Sequence, residues 1–258
     1  MLYGAIIGDI VGSRFEHGFN SKKKNFELFH YCDKFTDDTV MTLAIYEATK
    51  DIVDSKCSDS VAKQLYISRM QEWGGLYPNV GYGSSFNNWL HSTNPKPYDS
   101  WGNGSAMRVS AIGYMFDTLA ETEKYAELSA KVTHNHIEGI KGARAIAGAI
   151  YISRTTHSKK KVRQYITNLG YKLKHSLFVR LKHKFDVSCQ GTVPVAVEAF
   201  LESNSFEDAI RIAISMGGDS DTIGAITGSI AEAFYGAPKK LMNDCHGYLD
   251  SRISNTIE

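Results

Sequence analysis

Gly217-Gly218-Asp219-Ser220-Asp221-Thr222-Ile223-Gly224-Ala225-Ile226-Thr227-Gly228-Ser229-Ile230-Ala231-Glu232-Ala233-Phe234 is the stretch whose reading decides the fold. From Asp221 onward it is a helix apolar on nearly every side, and a helix of that kind is buried. Its first turn holds Asp219 and Asp221, so those carboxylates are expected at the floor of a site rather than on an open surface. Working outward, most of the chain repeats the helical period. Val40, Leu43, Ala44 and Ala48 recur at helix spacing, and Val61, Leu65 and Met70 follow a capping Ser58 or Asp59. Helical segments are also expected over 105–119, 123–133 and the Ala/Gly-rich 140–152. Another runs from a first-turn Pro194 to about Leu201, and one capped by Ser205 spans 206–216. Alternating Val/Ile/Thr runs and Asn-Gly or Asp-Gly turns are nearly missing, which leaves a compact all-α fold. No repeat or linker divides the chain, so one domain over residues 1–258 is expected. Two glycine-rich loops, 73–86 and 95–104, exceed ordinary turn length, as functional loops often do.

Composition narrows the function. The 258 residues are 43% hydrophobic with a formal charge of +1, which argues against nucleic acid as the main partner. Lys22-Lys23-Lys24 and Lys159-Lys160-Lys161 read as solvated surface. Cys32, Cys57, Cys189 and Cys245 form no CxxC pair, which disfavours zinc and a disulfide framework. The start Met1–Asp9 lacks a basic leader, and no apolar run approaches the roughly 20 residues that cross a bilayer. A cytoplasmic protein without membrane attachment is expected. With no heptad pattern, a monomer is the default.

A second acidic cluster, Phe35-Thr36-Asp37-Asp38-Thr39, also precedes a helical stretch. Adjacent carboxylates repel, and a fold that joins two such clusters normally needs bound cations. Asp and Thr oxygens suit Mg²⁺ or Mn²⁺. Helix capping is the competing reading. It accounts for one oxygen per cluster but not for the second carboxylate or the glycines before Asp219. Asp9, in the small-residue helix that opens the chain, is expected to accept hydrogen bonds or support a site, since a buried carboxylate is costly unpaired. Glu16, two turns on, reads equally as surface or site.

Ser100-Trp101-Gly102-Asn103-Gly104-Ser105-Ala106-Met107-Arg108 reads first as a turn and cap. A glycine-rich turn entering a helix also exposes N–H groups to an anion. It is not a P-loop. In Thr133-His134-Asn135-His136 a hydrogen-bonding histidine at a helix junction is favoured over metal ligation, and Cys189 reads as core rather than nucleophile.

In this order, five motifs resemble the ADP-ribosylglycohydrolase family, which includes the dinitrogenase reductase-activating glycohydrolases and ADP-ribosyl-acceptor hydrolases. They are G-D-x-x-G-S-x-x-E at 8–16, F-T-D-D-T at 35–39 and G-N-G-S-A-M-R at 102–108. T-H-N-H-x-E-G-x-K-G-A at 133–143 and G-G-D-S-D-T-I-G-A-I-x-G at 217–228 complete the set. The resemblance implies a compact orthogonal helical bundle with two Mg²⁺ ions, Mn²⁺ being possible. The ligands would be Thr36, Asp37, Asp38, Asp219, Asp221 and Thr222. It further implies Glu16, Asp37 or Asp38 in acid–base work. Ser100, Trp101, Gly102, Asn103, Gly104 and His134 would lie along ADP-ribose, with Gly81 and Gly83 beside the diphosphate. The implied activity is hydrolysis of the glycosidic bond between ADP-ribose and an acceptor, on a protein side chain or a small conjugate. A non-catalytic ADP-ribose reader, or a hydrolase of another nucleotide or sugar phosphate, are the alternatives. Ile137 stands where close relatives often have proline, and 157–184 matches only loosely.

Overall fold

The computed structural model describes residues 1–16, 22–175 and 184–257. Among these it contains helices and no strands, with one isolated bridge pairing Gly102 and Ser188. In chain order the helices are α1 (Tyr3–Ser13), α2 (Asp37–Ser55), α3 (Asp59–Leu76), α4 (Ser84–Leu90), α5 (Gly104–Met107), α6 (Ser110–Met115) and α7 (Leu119–Lys131). There follow α8 (Ile137–Thr156), α9 (Lys159–Asn168), α10 (Cys189–Glu202), α11 (Phe206–Met216), α12 (Ser220–Tyr235), α13 (Lys239–His246) and α14 (Ser251–Ile257). None is long and apolar enough to cross a membrane.

The expected buried helix is α12. It lies at the centre and packs against α1, α8, α10 and α11. Its seam with α1 is made of glycine. A Cβ on Gly8 would come 2.0 Å from the Gly224 carbonyl oxygen, and one on Gly228 would come 1.9 Å from that of Gly4. On Gly12 a Cβ would come 2.5 Å from the Asp221 Cα. Backbone therefore meets backbone, a contact only glycine permits. The seam brings Asp9, next to Gly8, against the first turn of α12, which carries Asp221.

Most expected helices appear, with informative differences. Ser58 and Ser205 cap α3 and α11, accepting from the amides of Val61 and Asp208. Residues 105–119 break into α5 and α6, with Arg108 and Val109 between them. The first expected loop is shorter than 73–86. α3 runs through Gly74, which packs tightly on Leu90, and stops before Pro78. α10 starts five residues before Pro194. Ser188 caps it by accepting from the Gly191 amide, so the proline lies within the helix rather than in its first turn.

Three lysines of the runs read as solvated surface are held, Lys22 by donating to the Met216 carbonyl at 3.2 Å. Lys24 pairs with Asp208 at 2.7 Å. The Lys159 ammonium donates to the carbonyls of Leu201 and Ser203 while lying over the rings of Phe200, Phe234 and Tyr235. Of the loosely matching stretch 157–184, residues 159–168 form α9, and 176–183 lie outside the described residues.

Candidate metal and ligand site

The site is assembled from the two seam helices and the start of α2. Asp9 is fully buried and saturated. The amide and hydroxyl of Thr36 donate to it at 2.8 and 2.7 Å, and those of Thr39 at 3.1 and 2.5 Å. These bonds fasten the first turn of α2 to α1. Thr36 is also the α2 cap, its hydroxyl oxygen accepting from the Asp38 amide. The capping reading is thus right for Thr36, whereas Asp219, at the cap position of α12, makes no side-chain cap bond.

Asp38 is held differently. One carboxylate oxygen accepts from the Thr222 hydroxyl at 3.0 Å; the other is buried without a hydrogen-bond partner. Across the floor, Asp219 accepts from the Asn103 amide at 2.5 Å, and that same amide nitrogen lies 3.0 Å from the Thr192 hydroxyl. The carboxylates fall into two groups, each with oxygens within 4.8 Å of one another: Asp9, Asp38 and Asp221, and Glu16, Asp219 and Asp221. Asp221 belongs to both.

Burial and mutual repulsion act on these acids. Burial holds the Asp9 carboxyl up at about 6 despite its four donors. Asp37 is raised to about 7, first by burial and then by the charge of Asp9. Asp38 and Asp221 are raised well above the usual carboxylate range by burial and by neighbouring carboxylates. Among the described residues no lysine or arginine pairs with Asp9, Asp37, Asp38 or Asp221. A cluster of this charge with an orphaned buried oxygen on Asp38 fits a hard divalent cation, whose charge removes the repulsion.

The remaining expected site residues surround this floor unevenly. Gly81, with φ of +111°, lies beside Asp37; a Cβ there would come 3.3 Å from the carboxylate. Gly83 borders open space at the start of α4. Ser100 accepts from the Gly102 amide and so shapes the loop that delivers Asn103 to Asp219. Gly102 and Gly104 face the ring of buried His134. Trp101 is half exposed, its ring edge-on to His136. His136 caps α8 by accepting from the Glu138 amide, as a junction histidine should. α5, which the glycine turn enters, is only four residues long. Cys189 is buried with its thiol raised to about 12, a core residue.

Sequence reasoning did not single out Thr39 or Thr192, whose partners lie about 30 and 90 residues away along the chain. Tyr82, which the resemblance places only as part of the loop from Gly81 to Ser85 beside the diphosphate, has its hydroxyl buried without a partner and raised by burial and by the charge of Asp37.

Comparison with known proteins gives a coherent picture. The family model described as ADP-ribosylglycohydrolase matches residues 1–255. Human ADP-ribosylhydrolase ARH3 is 25% identical over a 339-residue alignment covering 98% of this chain and 90% of the relative. The Rhodospirillum rubrum ADP-ribosyl-[dinitrogen reductase] glycohydrolase is 25% identical, with 79% of this chain and 69% of the relative covered. A solved structure described as an ADP-ribosylglycohydrolase-related protein complex superposes with a TM-score of 0.72 at 20% identity, covering 98% of this chain and 92% of the other; it shows the shared fold.

Proposed function

Because the chain belongs to the ADP-ribosylglycohydrolase family, we propose that it hydrolyses the bond between C1″ of ADP-ribose and an acceptor, reversing ADP-ribosylation. The observation that carries this is the pair of acid groups sharing Asp221, one of them holding the orphaned Asp38 oxygen and the other meeting the Asn103 loop at Asp219. In this reading Thr36, Asp37, Asp38, Asp219, Asp221 and Thr222 hold two Mg²⁺ ions, with Mn²⁺ as the substitute. Such ions supply Lewis-acid polarisation and lower the pKa of water.

The chain's own residues do the rest. In hydrolysis a C1″–O bond to water forms as the C1″–acceptor bond breaks, through an oxocarbenium-like state, and the acceptor leaves with a proton. Asp9 locks the first turn of α2, and Thr222 and Asn103 orient Asp38 and Asp219. Asp38 is deeply buried and bonded to Thr222, so the half-buried Glu16 and Asp37 are assigned the travelling proton. The Ser100–Gly104 loop and His134 line the ADP-ribose, Trp101 offers a ring face, and Gly81 and Gly83 keep the diphosphate side open. The same reading takes residues 1–258 as one domain acting as a monomer in the cytoplasm, where four free thiols persist.

The deciding experiment follows release of free ADP-ribose from arginine-linked, serine-linked and O-acetyl substrates, each with Mg²⁺ and with EDTA. Metal-dependent release from one linkage names the acceptor. No release from any of them, with ADP-ribose still bound tightly, would reassign the protein to a reader.

A further inference from the structure

Arg108 is a guanidinium 1% exposed to solvent, and among the described residues no carboxylate pairs with it. An arginine buried in this way is costly unless its hydrogen bonds do something specific. One of its nitrogens, Nη2, donates to the Ser129 carbonyl and to the Thr133 hydroxyl oxygen, both at 2.9 Å. The Thr133 oxygen in turn lies 2.7 Å from Nδ1 of His134.

The direction of that last bond follows from counting protons. A guanidinium only donates, so the Thr133 hydroxyl proton must go elsewhere. Two acceptors are in range: the Ala130 carbonyl at 3.4 Å and His134 Nδ1 at 2.7 Å. The Ala130 carbonyl already accepts the amides of Thr133 and His134, at 3.0 and 2.7 Å, which fills both of its lone pairs. The hydroxyl therefore donates to Nδ1, and the ring proton resides on Nε2. That nitrogen faces the Gly102–Gly104 loop so closely that a Cβ on either glycine would come within 3.4 or 3.2 Å of it. Burial and the neighbouring Arg108 charge hold His134 well below its ordinary pKa, so the ring stays neutral.

We infer that Arg108 and Thr133 are positioning residues that lock His134 as its neutral Nε2–H tautomer. The lock makes Nε2–H a fixed donor to an oxygen of the bound ADP-ribose. The inference rests on the functional reading above for the identity of the ligand, and on geometry alone for the tautomer. A neutral, single-tautomer donor discriminates by position rather than charge, and the two glycines leave room for the ligand oxygen to approach it.

The test is a long-range ¹H–¹⁵N correlation spectrum of the full chain, with ADP-ribose titrated by calorimetry. The wild-type His134 should show a pyrrole-type Nε2 and a pyridine-type Nδ1. Thr133→Val should lose the Nδ1 signature and weaken ADP-ribose binding about tenfold, the size of one neutral hydrogen bond. Thr133→Ser should restore both, which a purely structural role for the methyl group would not predict. A proton on Nδ1 in the wild type would overturn the lock whether or not any variant folds. So would Thr133→Val with unchanged spectrum and affinity. If the wild type fails to bind ADP-ribose, the donor role falls with the functional reading, while the spectrum still decides the tautomer.

Discussion

Asp9 and Asp38 are buried alike, yet their surroundings are opposite. Asp9 accepts four hydrogen bonds from Thr36 and Thr39, so each of its oxygens is occupied by protein. Asp38 has one oxygen on Thr222 and one on nothing, in a field of other carboxylates. The difference separates a carboxylate that builds the frame from one whose open oxygen fits a cation, although both sit within the same acid group.

The largest expected effect comes from removing an acid of the floor at the start of α12. Asp219→Ala should lower kcat/KM on the order of a thousandfold, about 4 kcal/mol of transition-state stabilisation, with the helical circular dichroism unchanged. Retained activity with full metal occupancy would remove Asp219 from the ligand set. Next comes the frame itself. Gly8→Ala places a methyl 2.0 Å from the Gly224 carbonyl oxygen and should cost about 3 kcal/mol in urea unfolding, as overpacking does at its upper range.

How far these features could be read from sequence depends on their range along the chain. α12 was legible because Ile223, Ala225, Ile226 and Ile230 leave it no polar face, and the Ser58 and Ser205 caps are local signals. The end of α3 was not: Trp73-Gly74-Gly75 has the composition of a loop, and only contact with Leu90 explains a helical Gly74. Pro194 misplaced the start of α10 for a local reason, since the Ser188 cap competes with it as a start signal. The acidic clusters pointed to a candidate site. That Asp9 is clamped by Thr36 and Thr39, or that Arg108 reaches His134 through Thr133, depends on pairings no local pattern encodes.

The Asp9–Asp38 contrast itself can be broken by paired substitutions in metal-free protein. Asp9→Asn should destabilise by about 2 kcal/mol, because an amide NH₂ would face Thr36 or Thr39 donors. Asp38→Asn should stabilise by about 1 kcal/mol, since it removes a charge from a repulsive cluster and keeps an acceptor for Thr222. Equal effects in chemical denaturation would erase the distinction between the two carboxylates.

The smallest effect is in the pH dependence. Asp9 and Asp37 titrate at about 6 and about 7 in the folded chain, above their unfolded value of 3.8. Between those limits the native state binds more protons than the unfolded one, so metal-free stability should fall as pH rises from about 4 to 7. Saturating Mg²⁺ should raise Tm and flatten the slope. A metal-free Tm that climbs with pH over this range would mean that the acids are not desolvated.

The α1–α12 glycine seam has a kinetic meaning as well. Two backbones in direct contact offer no rotamers to shuffle and no alternative interdigitation, so the joint admits a single fit. Parting it means losing the central helix, an opening that approaches global unfolding in free energy. Lesser openings are then left to the perimeter, to the connections 77–83 and 91–99, while the spacing between Asp9 and Asp221, one on each seam helix, stays fixed.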